Sequence, residues 1–495
     1  MILALFLLIP LACALVSALA GIRPRETPGR PSVAASRIAA LLGSLACLAL
    51  ALALWLGGAV PLQLELPWIP AIGASFALKL DGLSLPFLAL SGLLGSAAVL
   101  ASWKGIADRV GAFHACLAFT LAGINGVFLA SDLFLFAFAW ELMLVPMFFV
   151  IDIWGHEGRH RAAIKFLIFT QSGGLLMIAA IAGLYAAQGA RTGEWSFAYD
   201  KLLGASSSGA LGSTLQFLLM LGFFAGFAVK LPAFGLHAWL PDAHTEAPTA
   251  GSILLAGLLL KTGGYGLARF AIPLFPEASR ALAPVAMWIG VAGILWGGVM
   301  ALGQGDMKRL VAYSSVSHLG FVLVGLYSLD PAGRDGAVIQ MLSHGLSTGA
   351  LFMLVGALQD RLGTRELARM GGIMREAPRM GAIGLALTLA LLGLPGSGNF
   401  IGELLVMFGA FKSDVPAAVA VGLGLVLAMA YALRMFQLAF HGEPAEQRSL
   451  RDLGALETAT LGALLIVLLW VGLYPRGVLS LLHLALPGLS GGGAL

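Results

Sequence analysis

Four ionisable side chains stand inside strongly apolar stretches of the sequence. Glu141 is the only charged residue in the run 133–150, LFLFAFAWELMLVPMFFV, and Lys230, Lys261 and Glu403 stand in comparable runs. At the centre of a membrane helix, each such group costs roughly 2.5–3.5 kcal/mol. Four unpaired groups would together cost on the order of 10–14 kcal/mol, as much as the whole stability of a typical domain. We therefore expect the two carboxylates and two ammonium groups to be paired or hydrated.

Such groups can also carry protons. The proton affinity of a buried lysine depends on the charge beside it, so moving the charge of a neighbouring carboxylate moves the lysine's proton. Histidine titrates near neutral pH and can bridge a proton path. His318 stands in the segment 313–320, YSSVSHLG, and His344 belongs to a polar stripe on one helix face, made of Gln340, Ser343, His344, Ser347 and Thr348. The candidates for proton transfer are Glu141, Lys230, Lys261, His318, His344 and Glu403.

Three more residues have a structural explanation beside the functional one. Lys165 stands near the start of its apolar segment and can extend its ammonium group to the membrane surface. Arg434 can serve as a structural or interface residue, and His237 lies inside an interrupted helix. A structural ion pair is also an alternative for Glu141 and Lys230.

The composition is that of a membrane protein with many spans. Hydrophobic residues make up 59% of the chain and charged residues 11%, whereas a soluble domain is about 25% charged. The net charge of +4 comes with no basic tract, so nothing indicates nucleic-acid binding. The three cysteines, Cys13, Cys47 and Cys116, are far apart and lack metal-binding spacing. With no nucleotide-binding motif, we expect neither a cofactor nor a metal in this chain.

About fourteen apolar segments are long enough to cross a bilayer as helices. The pattern predicts an all-α polytopic membrane protein in which residues 1–495 form a single transmembrane domain. The first segment resembles a signal peptide, but no Lys or Arg precedes its apolar run, so we interpret it as a membrane helix. The predicted helices, numbered 1 to 14, span 1–20, 35–59, 83–102, 111–130, 132–152, 163–188, 213–232, 249–271, 281–302, 310–328, 335–358, 380–411, 416–440 and 457–475.

Charge in the connections supports this segmentation. The connections that follow odd-numbered helices, counted with Arg37 and Lys165 at the adjoining helix starts, hold 18 of the 29 Lys and Arg residues. Those that follow even-numbered helices, counted with Arg269 at the adjoining helix end, hold 7. Arg23, Arg25 and Arg30, after the first helix, are examples. Because basic residues favour cytoplasmic loops, the bias predicts odd connections in the cytoplasm and both termini on the periplasmic side.

Predicted helices 7 and 12 are interrupted. KLPAFGLHAWLPDAH at 230–244 and LGLPGSGNFIGE at 392–403 contain Pro and Gly residues that favour a break. Each helix is the fourth member of a five-helix block, helices 4–8 over 111–271 and helices 9–13 over 281–440. Because five is an odd number, the two blocks start on opposite sides of the membrane. Paired breaks in such inverted repeats indicate a transport site.

Four long motifs carry a resemblance to a known family. FAFAWELMLVPMFF, KLPAFGLHAWLPDAHTEAPTAGSILLAGLLLKTGGYGLARF, AYSSVSHLGF and LPGSGNFIGE are similar to the proton-pumping, antiporter-like membrane subunits of respiratory complex I. The similarity covers nearly the whole chain. Glu403 favours the M type of these subunits, because the other antiporter-like types usually have a lysine there. The resemblance implies a subunit that moves protons from cytoplasm to periplasm while partner subunits pass electrons from NADH to quinone.

The resemblance also implies a role for each candidate residue. Glu141 would pair with Lys230, the pumping lysine, and modulate its proton affinity. Lys261 would connect the two halves, and Glu403 would lead the proton toward the outer face. The remaining members of this central axis would be His318 and His344, with His237 contributing to the same axis. Lys165 and Arg434 are additional candidates from the residue pattern alone.

The implied surroundings follow from the same resemblance. The partners would be the L- and N-type antiporter-like chains, the peripheral-arm subunits and the lipid bilayer of a bacterial inner membrane, with no nucleic acid. FMN, iron–sulfur clusters and quinone would lie in partner subunits. Three alternatives stay open: a subunit of a multisubunit Na⁺/H⁺ antiporter or of a ferredoxin- or hydrogenase-linked relative, a self-contained transporter for a small solute, and a structural membrane spacer.

Overall fold

The computed structural model describes residues 1–21, 31–207, 211–444 and 450–485. Within these residues, thirteen helices are long and apolar enough to cross a membrane. Predicted helix 12 is present as two shorter helices separated by a break. The predicted polytopic α-helical membrane protein is confirmed. Arg23, Arg25 and Arg30, which contribute to the charge bias of the connections, lie outside the described residues.

The first part of the chain forms nine helices: α1 Leu5–Ala20, α2 Pro31–Leu56, α3 Ser84–Ala101, α4 Val110–Leu129, α5 Leu133–Trp154, α6 Arg159–Thr192, α7 Tyr199–Ser207, α8 Ser213–Lys230 and α9 Trp239–Glu246. One continuous span, Thr249–Leu274, follows. It consists of α10 Thr249–Leu254, α11 Leu260–Gly266 and α12 Ile272–Leu274, joined by the π-helical turns Leu255–Leu259 and Leu267–Ala271.

The described residues of the second part form nine more helices: α13 Pro276–Leu302, α14 Met307–Tyr327, α15 Pro331–Leu362, α16 Ile373–Glu376, α17 Pro378–Leu391, α18 Gly398–Ser413, α19 Val415–Phe440, α20 Ala455–Leu473 and α21 Arg476–Ala485. Predicted helix 7 therefore corresponds to α8 and α9, and predicted helix 12 to α17 and α18.

A β-hairpin between α2 and α3 was not predicted and adds to the otherwise helical fold. Its strands, β1 Leu62–Ile69 and β2 Ala74–Leu80, pair antiparallel. Asp132 ties the hairpin to α5, because one carboxylate oxygen accepts from Ser75 N at 3.0 Å while the other accepts from Phe134 N at 2.9 Å. The same carboxylate thus caps the N-terminus of α5, where backbone N–H groups lack helical partners.

Connections that follow odd-numbered predicted helices lie on one face of the molecule, and connections that follow even-numbered helices lie on the other. The predicted helix numbering requires this arrangement. Arg365, after helix 11, meets Glu246, after helix 7, at 3.6 Å and Asp306, after helix 9, at 2.5 Å. On the other face, Lys412, after helix 12, contacts Asp330, after helix 10, at 3.0 Å. A missing or additional span between these residues would have placed them on opposite faces.

Three spans form the centre of the bundle. Thr249–Leu274, α14 and α15 are buried along their whole apolar length, whereas α1, α2 and α20 bury only about a third of theirs. The central spans carry Lys261, His318 and His344, so lipid does not contact these polar side chains. This arrangement is expected, because ionisable residues in membrane proteins face the bundle interior.

Both interruptions are partly buried: Leu231 and Ser397 are buried, whereas Phe234 and Leu394 are 41% and 43% exposed. After α8 ends at Lys230, the indole Nε1 of Trp239 donates to Val229 O at 3.1 Å and so satisfies a carbonyl that the broken helix leaves free. Between α17 and α18, Gly393 and Gly396 adopt left-handed φ angles of 72° and 102°, which favour glycine. Irregular backbone at membrane depth is tolerated only where it is buried in protein or lines a hydrated cavity.

Candidate functional site

A continuous group of polar side chains crosses the centre of the second half. Lys261 Nζ lies 2.6 Å from His344 Nδ1, and the rings of His344 and His318 have centroids 5.7 Å apart. His318 Nδ1 lies 3.1 Å from Glu403 Oε1, while its Nε2 lies 3.0 Å from the hydroxyl of Tyr431. All five side chains are at most 2% exposed. Four of the predicted residues are thus brought together in one buried interior.

The backbone around Lys261 is adapted to this contact. Lys261 stands on α11 between two π-helical turns and also donates to Ala256 O in the first of them. Gly345 lets α15 approach, because a Cβ at that residue would lie 2.8 Å from Gly257 O and 3.5 Å from Lys261 Cε. π-helical turns are rare and frequently mark functional sites. The close approach allows His344 to reach the lysine from the neighbouring helix.

The break between α17 and α18 makes room for Glu403. A Cβ on Gly393 would lie only 2.4 Å from Glu403 Oε2, so the backbone itself closes over the carboxylate. The other oxygen, Oε1, accepts from Gln340 Nε2 at 3.3 Å as well as facing His318. The interruption thus positions the carboxylate rather than simply ending a helix.

The first half is organised differently. Lys230 is 1% exposed and its ammonium group has no hydrogen-bond partner within the described residues. Its Nζ lies over two aromatic rings, 5.2 Å from the centroid of Trp140 and 5.7 Å from that of Phe166. Glu141 acts on Lys230 electrostatically, but the two do not form a direct ion pair. The direct ion pair expected between Glu141 and Lys230 is therefore not formed.

Glu141 faces α6. A Cβ on Gly174 would lie 3.1 Å from Glu141 Oε1, and the side chain of Gln171, one turn earlier, lies beside the same carboxylate. The link to the second half runs through α11, since a Cβ on Gly263 would lie 2.7 Å from Leu231 N. The helix that carries Lys261 therefore packs directly on the backbone beside Lys230.

Two of the additional candidates lie apart from this interior. Lys165 Nζ binds Asp242 at 2.7 Å, and Arg309 contacts the same carboxylate at 3.5 Å, with about a third of each side chain exposed. Arg434 donates to Leu302 O at 2.9 Å and to a neighbouring carbonyl, closing the C-terminus of α13. His237 stands half-buried in the break after α8, with its ring stacked near Phe234.

Two buried residues were missed from the sequence. His244 on α9 is fully buried, stacks on Phe352 with ring centroids 4.6 Å apart, and has no hydrogen-bond partner for either ring nitrogen among the described residues. Lys308, also buried, donates to Ala247 O. His244 interacts electrostatically with both Lys308 and Lys261. These residues form a branch from the central lysine toward the odd-connection face.

A cluster of charged residues lies at the outer end of that branch. Arg365 contacts Glu246 and Asp306, and Glu246 Oε2 accepts from Gly158 N at 2.9 Å. His156 lies beside the cluster, where burial, followed by the charges of Lys308 and Arg365, lowers its pKa from 6.5 to about 4. Within the described residues, no group of three or more His, Cys, Asp or Glu could hold a metal ion.

Similarity to known proteins agrees with this geometry. The family model described as NADH:quinone oxidoreductase/Mrp antiporter, TM, matches residues 130–428. The chain belongs to this family. NADH-quinone oxidoreductase subunit M of Escherichia coli K12 is 47% identical over 89% of both chains. The protein of the same name from Pseudomonas aeruginosa is 49% identical over 85% of this chain and 83% of its own.

A solved structure extends the similarity to three dimensions. A chain of respiratory complex I from Thermus thermophilus with bound NADH superposes with a TM-score of 0.88 at 32% identity. The match covers 99% of this chain and 100% of that chain. The family match includes Glu141, Lys230, Lys261 and Glu403, and the buried line described above therefore lies in the shared part of the fold.

Proposed function

We propose that this chain is the proton-translocating, M-type membrane subunit of an NADH:quinone oxidoreductase. The observation that carries the proposal is the buried line from Lys261 through His344 and His318 to Glu403. Its members are acids and bases that can each gain or lose a proton, and adjacent members lie within hydrogen-bond reach or one short gap of each other. Protons can pass along such a row, whereas a solute would need an open cavity.

Lys261 and His344 would share one proton. At 2.6 Å two positive charges would repel strongly in a low-dielectric interior, so the ammonium group donates to a neutral imidazole or the imidazolium donates to a neutral amine. When His344 holds the proton, His318 is the next base, one ring away. Glu403 then accepts from His318 Nδ1 and delivers the proton toward the far face. Each transfer needs a small side-chain movement or one bridging water.

Residues of the first half would deliver protons to the buried line that starts at Lys261. A charge change at Glu141 alters the electrostatic environment of Lys230, which passes its proton to Lys261 on the adjacent helix. We also propose that His244 and Lys308 supply Lys261 from the odd-connection face. His237 completes the list of additional members, while Lys165 and Arg434 hold helices in place.

We propose that residues 111–271 and 281–440 are inverted repeats. Equivalent packing supports this: α4 packs on α5, α5 on α6 and α6 on both α8 and α9, as α13 packs on α14, α14 on α15 and α15 on both α17 and α18. The charge bias supports a cytoplasmic location for the odd connections, with both termini periplasmic in a bacterial inner membrane.

The energy would come from partner subunits. Moving one charge against 100 mV costs about 2.3 kcal/mol, so pumping against a membrane potential needs an energy source. The proposal therefore places FMN, iron–sulfur clusters and quinone in partners, which include L- and N-type chains and a peripheral arm. A multisubunit Na⁺/H⁺ antiporter or a ferredoxin- or hydrogenase-linked complex is the alternative, and it would co-purify without an NADH-oxidising flavoprotein.

The test replaces Glu141 or Lys230 by Ala in the assembled complex. Both variants should lower proton pumping and coupled quinone reduction, while NADH oxidation by an artificial electron acceptor stays intact. Lys201→Ala is the matched control, since Lys201 is an exposed lysine paired with Glu194 at 2.8 Å. Pumping at the control's rate in both variants would contradict the proposed function.

A further inference from the structure

A cavity of about 500 Å³ opens where α3 and α15 end and α20 begins, away from the proton line. Five charged residues line it: Lys104 after α3, Asp360 and Arg361 at the end of α15, Arg451 before α20, and Glu457 on its first turn. The ends of these three helices lie on the odd-connection face. The cavity therefore sits at the level where a membrane helix meets the headgroup region.

Two of these five charged side chains form an ion pair with each other, and the other three have no direct partner. Arg361 Nη2 lies 2.6 Å from Glu457 Oε2. The side chains of Lys104, Arg451 and Asp360 have no hydrogen-bond or ion-pair partner anywhere in the part of the chain that the structure describes. The cavity thus presents two cations and one carboxylate without a direct partner, although the charge of Arg361 also acts on Asp360.

A second cavity, of about 330 Å³, is lined almost entirely by apolar side chains of the same three helices together with α2 and α21. Leu93 on α3, Leu346 on α15 and Trp470 on α20 are among them. Along α3, Leu93 precedes Leu100 of the charged cavity by seven residues, which is about 10 Å of helix. The charged cavity and the apolar cavity therefore lie one after the other along the same side of the protein.

We propose that this surface binds one phospholipid whose headgroup carries a phosphate and a primary amine. The phosphate lies between Lys104 and Arg451, the ammonium group faces Asp360, and an acyl chain extends into the apolar cavity. A purely anionic headgroup would satisfy the cations but leave Asp360 facing negative charge. Free inorganic phosphate would leave both Asp360 and the apolar cavity empty. The zwitterionic lipid matches all three features.

The first test measures lipid binding to the full-length chain by native mass spectrometry. Phosphatidylethanolamine is added to the detergent-purified protein, and the fraction carrying one lipid gives the affinity. Replacing both Lys104 and Arg451 by Ala should weaken binding roughly 30-fold, because each cation near a phosphate contributes about a fivefold increment. The matched control replaces Lys201 and Arg191, an exposed lysine and arginine on the opposite face, and should bind as the native chain does. Equal binding by both double variants would overturn the proposal.

A selectivity measurement separates the headgroup assignment from folding defects. The native chain should prefer phosphatidylethanolamine to phosphatidylglycerol of the same acyl composition, and Asp360→Asn should remove the preference. Because the ratio is taken within one protein sample, a partly misfolded fraction does not change it. An unchanged ratio would overturn the assignment of the amine to Asp360. Displacement of the lipid by millimolar inorganic phosphate would likewise overturn the proposal in favour of a simple anion site.

The last measurement uses the assembled complex. A photoreactive benzophenone side chain replaces Leu456, which lines the charged cavity and is 52% exposed. Irradiation should attach one phospholipid to this chain, detected by its mass. A crosslink to another subunit would show that protein covers the surface and would overturn the proposal.

Discussion

The hydroxyl of Tyr431 offers the sharpest test of the buried line. Tyr431→Phe removes the group that lies 3.0 Å from His318 Nε2 and leaves the rest of the ring in place. Both residues are fully buried, so Nε2 would have no replacement partner from solvent. An unsatisfied buried polar group costs about 1–3 kcal/mol. At 1.4 kcal/mol per tenfold change, the population of correctly oriented His318 should fall roughly 5- to 150-fold.

The consequence for proton transfer follows from the ring's tautomers. When the Tyr431 hydroxyl donates to Nε2, the ring proton stands on Nδ1, which faces Glu403 Oε1 at 3.1 Å. Without the hydroxyl, the proton can move to Nε2, and Nδ1 then has nothing to give to Glu403. We expect the proton-pumping rate to fall at least several-fold, and by no more than the roughly 150-fold upper limit of this population change.

The assay compares proton uptake into inverted membrane vesicles with NADH oxidation by an artificial acceptor, which reports assembly. Tyr327→Phe is the matched control, because Tyr327 lies on the same helix as His318, is 1% exposed, and has no hydrogen-bond partner for its hydroxyl among the described residues. Tyr327→Phe should pump normally. If Tyr431→Phe pumps as fast as this control, the reasoning about His318 is refuted.

Two further perturbations test the supporting structure. Gly393→Ala should impair pumping and lower the amount of assembled complex, because its φ of 72° disfavours a side chain and a Cβ would lie 2.4 Å from Glu403 Oε2. Gly422→Ala, where a Cβ meets open space, should have no effect, and equal behaviour of the two would contradict the packing argument. His156 has its pKa lowered to about 4, so protonation favours the unfolded state and the melting temperature should fall between pH 6.5 and 4. In His156→Gln this slope should be smaller, and parallel curves would rule out His156 as its source.

The spans and both breaks could be predicted from the sequence because their signals are local. An apolar run near the length of a bilayer crossing specifies a helix, and Pro or Gly within it specifies an interruption. The hairpin at Leu62–Ile69 and Ala74–Leu80 was missed because its short alternating strands resemble an ordinary connection. Its position depends on Asp132, far along the chain, which no local pattern indicates.

The candidate residues were found by their charge, but their contacts depend on helix rotation. Lys308 was interpreted as a connection residue because it stands in the first turn of α14, yet contacts from Ala247 and the Arg365 cluster bury it. His244 stands at the end of the interrupted segment 230–244, inside the short helix α9, and shows no polar periodicity of its own. Glu141 and Lys230 were expected in contact, but the sequence does not specify the rotation of α5 against α8 that keeps them apart.

The two halves differ in how they hold their ionisable side chains, and this difference bears on where proton flow is controlled. From Lys261 to Glu403, hydrogen bonds and one ring-to-ring step connect every member, so transfer there needs little rearrangement. At Lys230, by contrast, the ammonium group has only aromatic faces beside it within the described residues, and no hydrogen bond fixes its direction. A side chain held by non-directional contacts can turn toward Glu141 or toward α11 at low energetic cost. We therefore propose that proton flow is controlled at Lys230, where a change in the charge of Glu141 would decide which way the lysine points.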